Sequence, residues 1–176
     1  MEYASRIGAL SYVVRRTRPD LAAVCGILSR RQCNFTVIDC EHLNRVFIYL
    51  YLIREKALTI SSSTNLSIQT YVDADWAGNV EDRRSVSGSI VYAGKSPVLW
   101  GSKRQDTVAM STMESEYYAL SEAMKDTLMI KHLLEELLVK NDLWNLEVPT
   151  VHCDNKAAIA TSLSNGLKRK IRHFKN

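Results

Sequence analysis

Residues 71–78 read YVDADWAG, and the architecture of the chain is built outward from them. Just upstream, Ile68, Thr70 and Val72 alternate with Gln69, Tyr71 and Asp73, the period-two pattern of a half-buried strand. That strand is expected to end in two carboxylates, Asp73 and Asp75, on one face. Further on the chain reads STMESEYYAL at 111–120 and VHCDNKAAIA at 151–160. These stretches place a carboxylate on a long helix and another, Asp154, at the end of a second short strand. Carboxylates converging from separate elements suit a hard divalent cation such as Mg²⁺, which prefers oxygen ligands. Such an arrangement points to metal-dependent chemistry on phosphodiesters.

The period is different before residue 60. Ile7, Leu10 and Val14 keep helical spacing up to a break at Thr17-Arg18-Pro19-Asp20, where Thr17 is suited to cap and Pro19 to open a new turn. Leu21, Val24, Ile27 and Leu28 continue an apolar stripe, and Leu43, Val46, Phe47 and Leu50 form another between about Thr36 and Arg54. SSSTN at 61–65 reads as a linker. The expected organisation is a helical segment over 1–60, a linker over 61–66, and an α/β domain over 67–176. In that domain strands are expected at 68–73, 84–93 and from Val98, with Thr107–Met110 extending the third. A helix over Thr112–Lys140, a strand over Val148–Cys153 and a short helix over Asn155–Leu163 complete the order β-β-β-α-β-α, a mixed sheet with helices packed on it.

The 176 residues carry a net charge of +4, and nearly half are hydrophobic, enough to bury a sizeable core. Basic residues cluster at Arg15, Arg16 and Arg18, at Arg30 and Arg31, at Lys103 and Arg104, and in LKRKIRHFKN at 167–176. Such clusters favour a polyanionic partner through counterion release. The four cysteines show no zinc-type spacing and read as free thiols of a reducing compartment. The longest apolar run, Val46–Ile53, is far short of the roughly 20 residues of a membrane span. With polar residues directly after Met1, a cytoplasmic or nuclear location without membrane attachment is expected.

Each carboxylate has a plainer role to weigh. Asp73 and Asp75 could be turn residues, and Asp154 could cap the helix behind it. On the long helix, Ser111-Thr112-Met113-Glu114 matches a capping box, which occupies Glu114. Glu116 lies one turn before Leu120, and Leu120 one turn before Met124, so Glu116 is expected on the sheet-facing side. A carboxylate there is costly unless paired or bound to metal. Glu122 falls well round the helix and is expected to face water.

YVDADWAG, DRRSVSGSIVYAG, SKRQDTVAMSTMESEYYAL and VHCDNKAAIA together resemble the ribonuclease H domain of copia-type retrotransposon Pol polyproteins, in order and spacing. YASRIGALSYVVRRTRPDLAAVCGILSR and RVFIYLYLI resemble the segment that joins the polymerase to that domain. The resemblance implies a ribonuclease H-like fold and hydrolysis of the RNA strand of RNA–DNA hybrids during reverse transcription, as part of a Pol polyprotein and, for an intact element, within a virus-like particle. It implies Mg²⁺ or Mn²⁺ in a two-metal site and assigns Asp73, Glu116 and Asp154 as catalytic metal ligands. With it, Lys103, Arg104, Lys168, Arg169, Lys170 and Arg172 are the candidate nucleic-acid contacts.

Chains of that family continue past a KHID stretch into a further strand and a final helix bearing an Asp. Here RHFKN ends the sequence, with Lys175 where the motif has Asp. The resemblance thus implies a domain truncated at its C-terminus, one metal-site carboxylate short, with weak or no cleavage by the isolated chain. The rival reading is a catalytically silent nucleic-acid-binding remnant or a pseudogene product.

Overall fold

A computed structural model describes residues 3–61, 65–78, 82–138 and 145–164. The chain forms two compact units, Met1–Thr59 and Ile60–Asn176.

In the first unit, α1 (Tyr3–Thr17), a 3-10 turn (Pro19–Leu21), α2 (Ala22–Ser29) and α3 (Val37–Leu52) surround one core. Ile7, Leu10 and Val14 meet Leu21, Cys25, Leu28, Leu43 and Val46, as the helical spacing requires. Ile27, expected on the same stripe, is exposed instead. Thr36 caps α3 through a reciprocal box with Asp39. Thr17 does not cap the Pro19 turn: it ends α1 and its hydroxyl donates back to the Val13 carbonyl. The TRPD stretch is held from within. The Arg18 guanidinium, only 6% exposed, donates to both Asp20 oxygens at 2.9 and 2.7 Å. It also lies over the Tyr49 ring, whose hydroxyl donates to the same carboxylate. The hydrogen bond from Arg18 holds the Asp20 carboxyl below its ordinary value. Arg18 is thereby committed inside the unit, and of the first basic cluster Arg15 and Arg16 are the exposed members.

The second unit is a four-stranded mixed sheet in the order β4-β3-β2-β6 with α4 and α5. β2 (Ile68–Asp75), β3 (Val86–Ala93) and β4 (Ser96–Arg104) form an antiparallel meander, and β6 (Thr150–His152) runs parallel to β2. A two-residue parallel pair, β1 (Asn65–Leu66) with β5 (Asn145–Leu146), lies apart from it; its first member falls at the end of the expected linker. Alternation along β2 buries Ile68, Thr70 and Val72 and exposes Tyr71, Asp73 and Asp75. The buried row packs on α4 (Thr112–Leu138). Val72 and Val151 meet Ala119, Leu120 and Ala123, while Ile68 and Val91 meet Ile130. Each such aliphatic side chain contributes about 1.5–3 kcal/mol through burial. A buried polar contact crosses this interface: the Thr70 and Thr127 hydroxyls stand 2.7 Å apart, and Thr127 also donates to the Ala123 carbonyl. α5 (Lys156–Ser164) packs against α4.

β4 begins at Ser96, two residues before the expected strand, because Gly94 (φ 60°) lets a tight turn form at Gly94-Lys95. Thr107–Met110 is not strand. It is an irregular segment with Ala109 buried, and the Ala109 carbonyl accepts the Trp76 indole N–H at 3.1 Å.

Candidate metal centre

The parallel pairing of β2 and β6 sets the two aspartates level with each other. Tyr71 pairs with His152, and Asp73 and Asp154 each lie two residues further along. Both therefore stand at the carboxyl end of adjacent parallel strands, where α/β sheets gather ligands. Both are exposed. Capping of α5 falls to Asn155, whose Oδ1 accepts from the Ala158 N–H at 2.9 Å. Asp154 is thus free of the capping role its position suggested.

Glu116 enters from the second turn of α4 and is 7% exposed, on the buried face with Leu120 and Ala123. Its carboxyl accepts the Ala74 backbone N–H and shares a hydrogen bond with Asp73. Burial, together with the nearby Asp73 and Asp154 charges, pushes its pKa up from 4.5 to about 7, against the lowering effect of the Ala74 bond. None of the ion pairs among the described residues involves Glu116. A nine-tenths-buried carboxyl beside further carboxylates is a donor set that a divalent cation would fit, since such an ion would offset their negative charge.

Two other helix carboxylates are occupied elsewhere. The Glu114 N–H donates to Ser111 Oγ, and the Glu114 carboxylate accepts from the Met110 N–H rather than closing the box on Ser111. Glu122 pairs with Lys125. Asp75 packs against Gly78, where a Cβ would collide with its carboxyl group, and the Gly78 N–H closes the turn on the Asp75 carbonyl. The rest of DWAG is structural too: Ala77 adopts a positive φ of 52° with its N–H on Ser85 Oγ.

Two residues at the centre were not singled out in the sequence. Cys153 brings its sulfur 3.9 Å from Glu116 Oε2, and ligand atoms of Glu116, Cys153 and Asp154 all lie within 4.8 Å of one another. Burial raises the Cys153 thiol pKa, and the carboxylates add to the rise. Gln105, 2% exposed, donates through Nε2 to the Ser115 carbonyl at 2.8 Å and to Ser87 Oγ at 2.9 Å. It ties β3 to the turn of α4 that carries Glu116, and its Oε1 has no hydrogen-bond partner among the described residues.

Among the basic candidates, Lys103 is 74% exposed and loosely paired with Asp106 at 3.8 Å. Arg104 is bound to Asp82 at 2.8 Å. Lys168, Arg169, Lys170 and Arg172 lie outside the described residues. No described helix is long and apolar enough to cross a membrane.

The mixed sheet, the helix laid across it and the carboxylates at the strand ends define an α/β protein of ribonuclease H-like fold. The chain is 41% identical over 128 residues to the secreted RxLR effector protein 161 of Plasmopara viticola, 73% of this chain and 90% of that protein. It is 32% identical over 173 residues to the retrovirus-related Pol polyprotein from transposon RE2 of Arabidopsis thaliana. It is 31% identical over 172 residues to the corresponding polyprotein from transposon TNT 1-94 of Nicotiana tabacum. These two alignments each take in 98% of this chain and 12% of the polyprotein. The chain belongs to one family with protein 161, and its homologues along nearly its whole length are Pol polyproteins of copia-type transposons. No family model and no solved structure matches it.

Proposed function

We propose that this retrotransposon-derived chain carries a ribonuclease H function, the metal-dependent hydrolysis of the RNA strand in RNA–DNA hybrids, exercised within a Pol polyprotein. The observation that carries the reading is Glu116: a buried carboxyl, in none of the ion pairs among the described residues, facing Asp73 and Asp154 at the ends of parallel strands. Asp73, Glu116 and Asp154 would hold Mg²⁺ or Mn²⁺. When bound, the cations supply Lewis-acid activation of water and neutralise charge developing on the phosphate oxygens. The protein's own part is to present the carboxylates without reorganisation. The Ala74 N–H fixes the Glu116 carboxyl, and Gln105 fixes the turn it stands on. Lys103 offers an exposed cation to the hybrid's phosphates.

The test is cleavage of a labelled RNA–DNA hybrid in Mg²⁺ or Mn²⁺, with Asp73→Asn as control. Cleavage of the RNA strand that the substitution abolishes supports the reading. Cleavage that survives Asp73→Asn, or hybrid binding with no dependence on salt, counts against it.

A further inference from the structure

The donor set at the strand ends is not purely oxygen. Cys153 stands between β6 and Asp154, and its sulfur faces the same space as the Glu116 and Asp154 carboxylates, with all three donors within 4.8 Å. The Cys153 thiol is directed at Glu116 Oε2, 3.9 Å away. Glu116, nine-tenths buried, has no ammonium or guanidinium paired with it among the described residues, so the charge of the cluster is unbalanced.

Around a tetrahedral zinc ion, sulfur and oxygen ligands at about 2.3 and 2.0 Å stand about 3.5 Å apart. Cys153 Sγ and Glu116 Oε2 are 3.9 Å apart, close to that separation, and Asp154 completes the set within 4.8 Å. Mg²⁺ has little affinity for sulfur and demands octahedral oxygen coordination, whereas a thiolate with two carboxylates suits a borderline or soft ion.

We propose that Glu116, Cys153 and Asp154 form a site for a thiophilic divalent cation of the Zn²⁺ or Cd²⁺ class, which competes there with Mg²⁺ or Mn²⁺. The inference rests on the reading of the same carboxylates as a cation site and adds to it a second class of ligand. On binding, the metal–sulfur bond replaces the S–H bond and the thiol proton leaves to solvent. An ion held this way occupies oxygens that the hard cation needs, so Zn²⁺ acts as an inhibitor of the site.

The experiment titrates Cd²⁺ into the full chain and follows the thiolate-to-metal charge-transfer absorption, in a Cys33→Ser/Cys40→Ser background that removes the other accessible thiols. Mn²⁺ binding is followed in parallel by electron paramagnetic resonance. The expected result is a saturable band at one equivalent. Cys153→Ser should abolish it, because no other accessible thiol remains to donate charge to the metal. The same substitution should leave Mn²⁺ affinity within about threefold, since the oxygen ligands remain, and retained Mn²⁺ binding also shows that the variant is folded. Zn²⁺ should displace Mn²⁺ from the parent protein at far lower concentration than from Cys153→Ser. A band unchanged by Cys153→Ser overturns the proposal. Mn²⁺ binding without a Cd²⁺ band overturns this inference alone, and binding of neither ion overturns the cation site as well.

Discussion

Replacing Glu116 by Gln should change how stability depends on pH. In the folded protein burial, aided by Asp73 and Asp154, lifts the Glu116 pKa from 4.5 to about 7. The folded state therefore holds the proton more tightly than the unfolded chain. Below pH 4.5 both states are protonated and the group costs nothing. Above pH 7 both are ionised and the folded state bears the full cost, so stability is lost as pH rises from 4.5 through 7. At about 1.4 kcal/mol per pKa unit the cost is at most about 3 kcal/mol. Solvent around the exposed Asp73 and Asp154 screens it to about 1–2 kcal/mol. Gln keeps an acceptor for the Ala74 N–H and carries no charge. Glu116→Gln should thus match the parent near pH 4 and exceed it by about 1–2 kcal/mol at pH 8, roughly 3–6 °C in melting temperature. Adding Mg²⁺ at pH 8 should narrow the gap by stabilising the parent alone. The assay is thermal and urea denaturation of both proteins from pH 4 to 8. A difference between them that stays constant with pH would refute the reasoning, because only the Glu116 proton separates the two curves.

Thr127→Val should cost about 1–3 kcal/mol by stranding the buried Thr70 hydroxyl, and Thr70→Val/Thr127→Val should recover most of it, as read by a denaturant double-mutant cycle. Arg18→Ala should destabilise the helical unit by about 1–3 kcal/mol, because the exposed Asp20 loses a charged hydrogen-bond partner and the buried Arg18 stem loses its packing; hydrogen exchange in α1 to α3 would show the loss. Gln105→Ala should cost about 1–3 kcal/mol and weaken Mn²⁺ binding, because the turn of α4 beneath Glu116 loses its tie to β3. Calorimetry showing full stability in that variant would remove Gln105 from the account.

The strands, the long helix and the buried, sheet-facing placement of Glu116 were legible because they rest on periodicity. Glu116 keeps step with Leu120, and Ile68, Thr70 and Val72 alternate cleanly, so the faces follow from the sequence. What escaped depends on contacts distant in sequence. Thr107–Met110 has strand-like composition, and its irregular path is set by Trp76, more than thirty residues earlier. Gln105 looks like any polar loop residue until Ser87 and Ser115 close on it. Cys153 carries no local spacing signal of a metal site, because its companions come from α4 and from the adjacent Asp154. Arg18 reads as one of a basic cluster, and only Asp20 and Tyr49 reveal it as an internal strut.

The central claim is that Asp73, Glu116 and Asp154 act together as ligands of a catalytic divalent cation. The most direct measurement is Mn²⁺ titration of the full chain by electron paramagnetic resonance, repeated for Asp73→Asn, Glu116→Gln and Asp154→Asn. Saturable uptake by the parent, weakened by every one of the three substitutions, is the predicted result. Uptake that any of the three leaves unchanged, or that tracks exposed acids such as Glu135 or Asp106 instead, would contradict it.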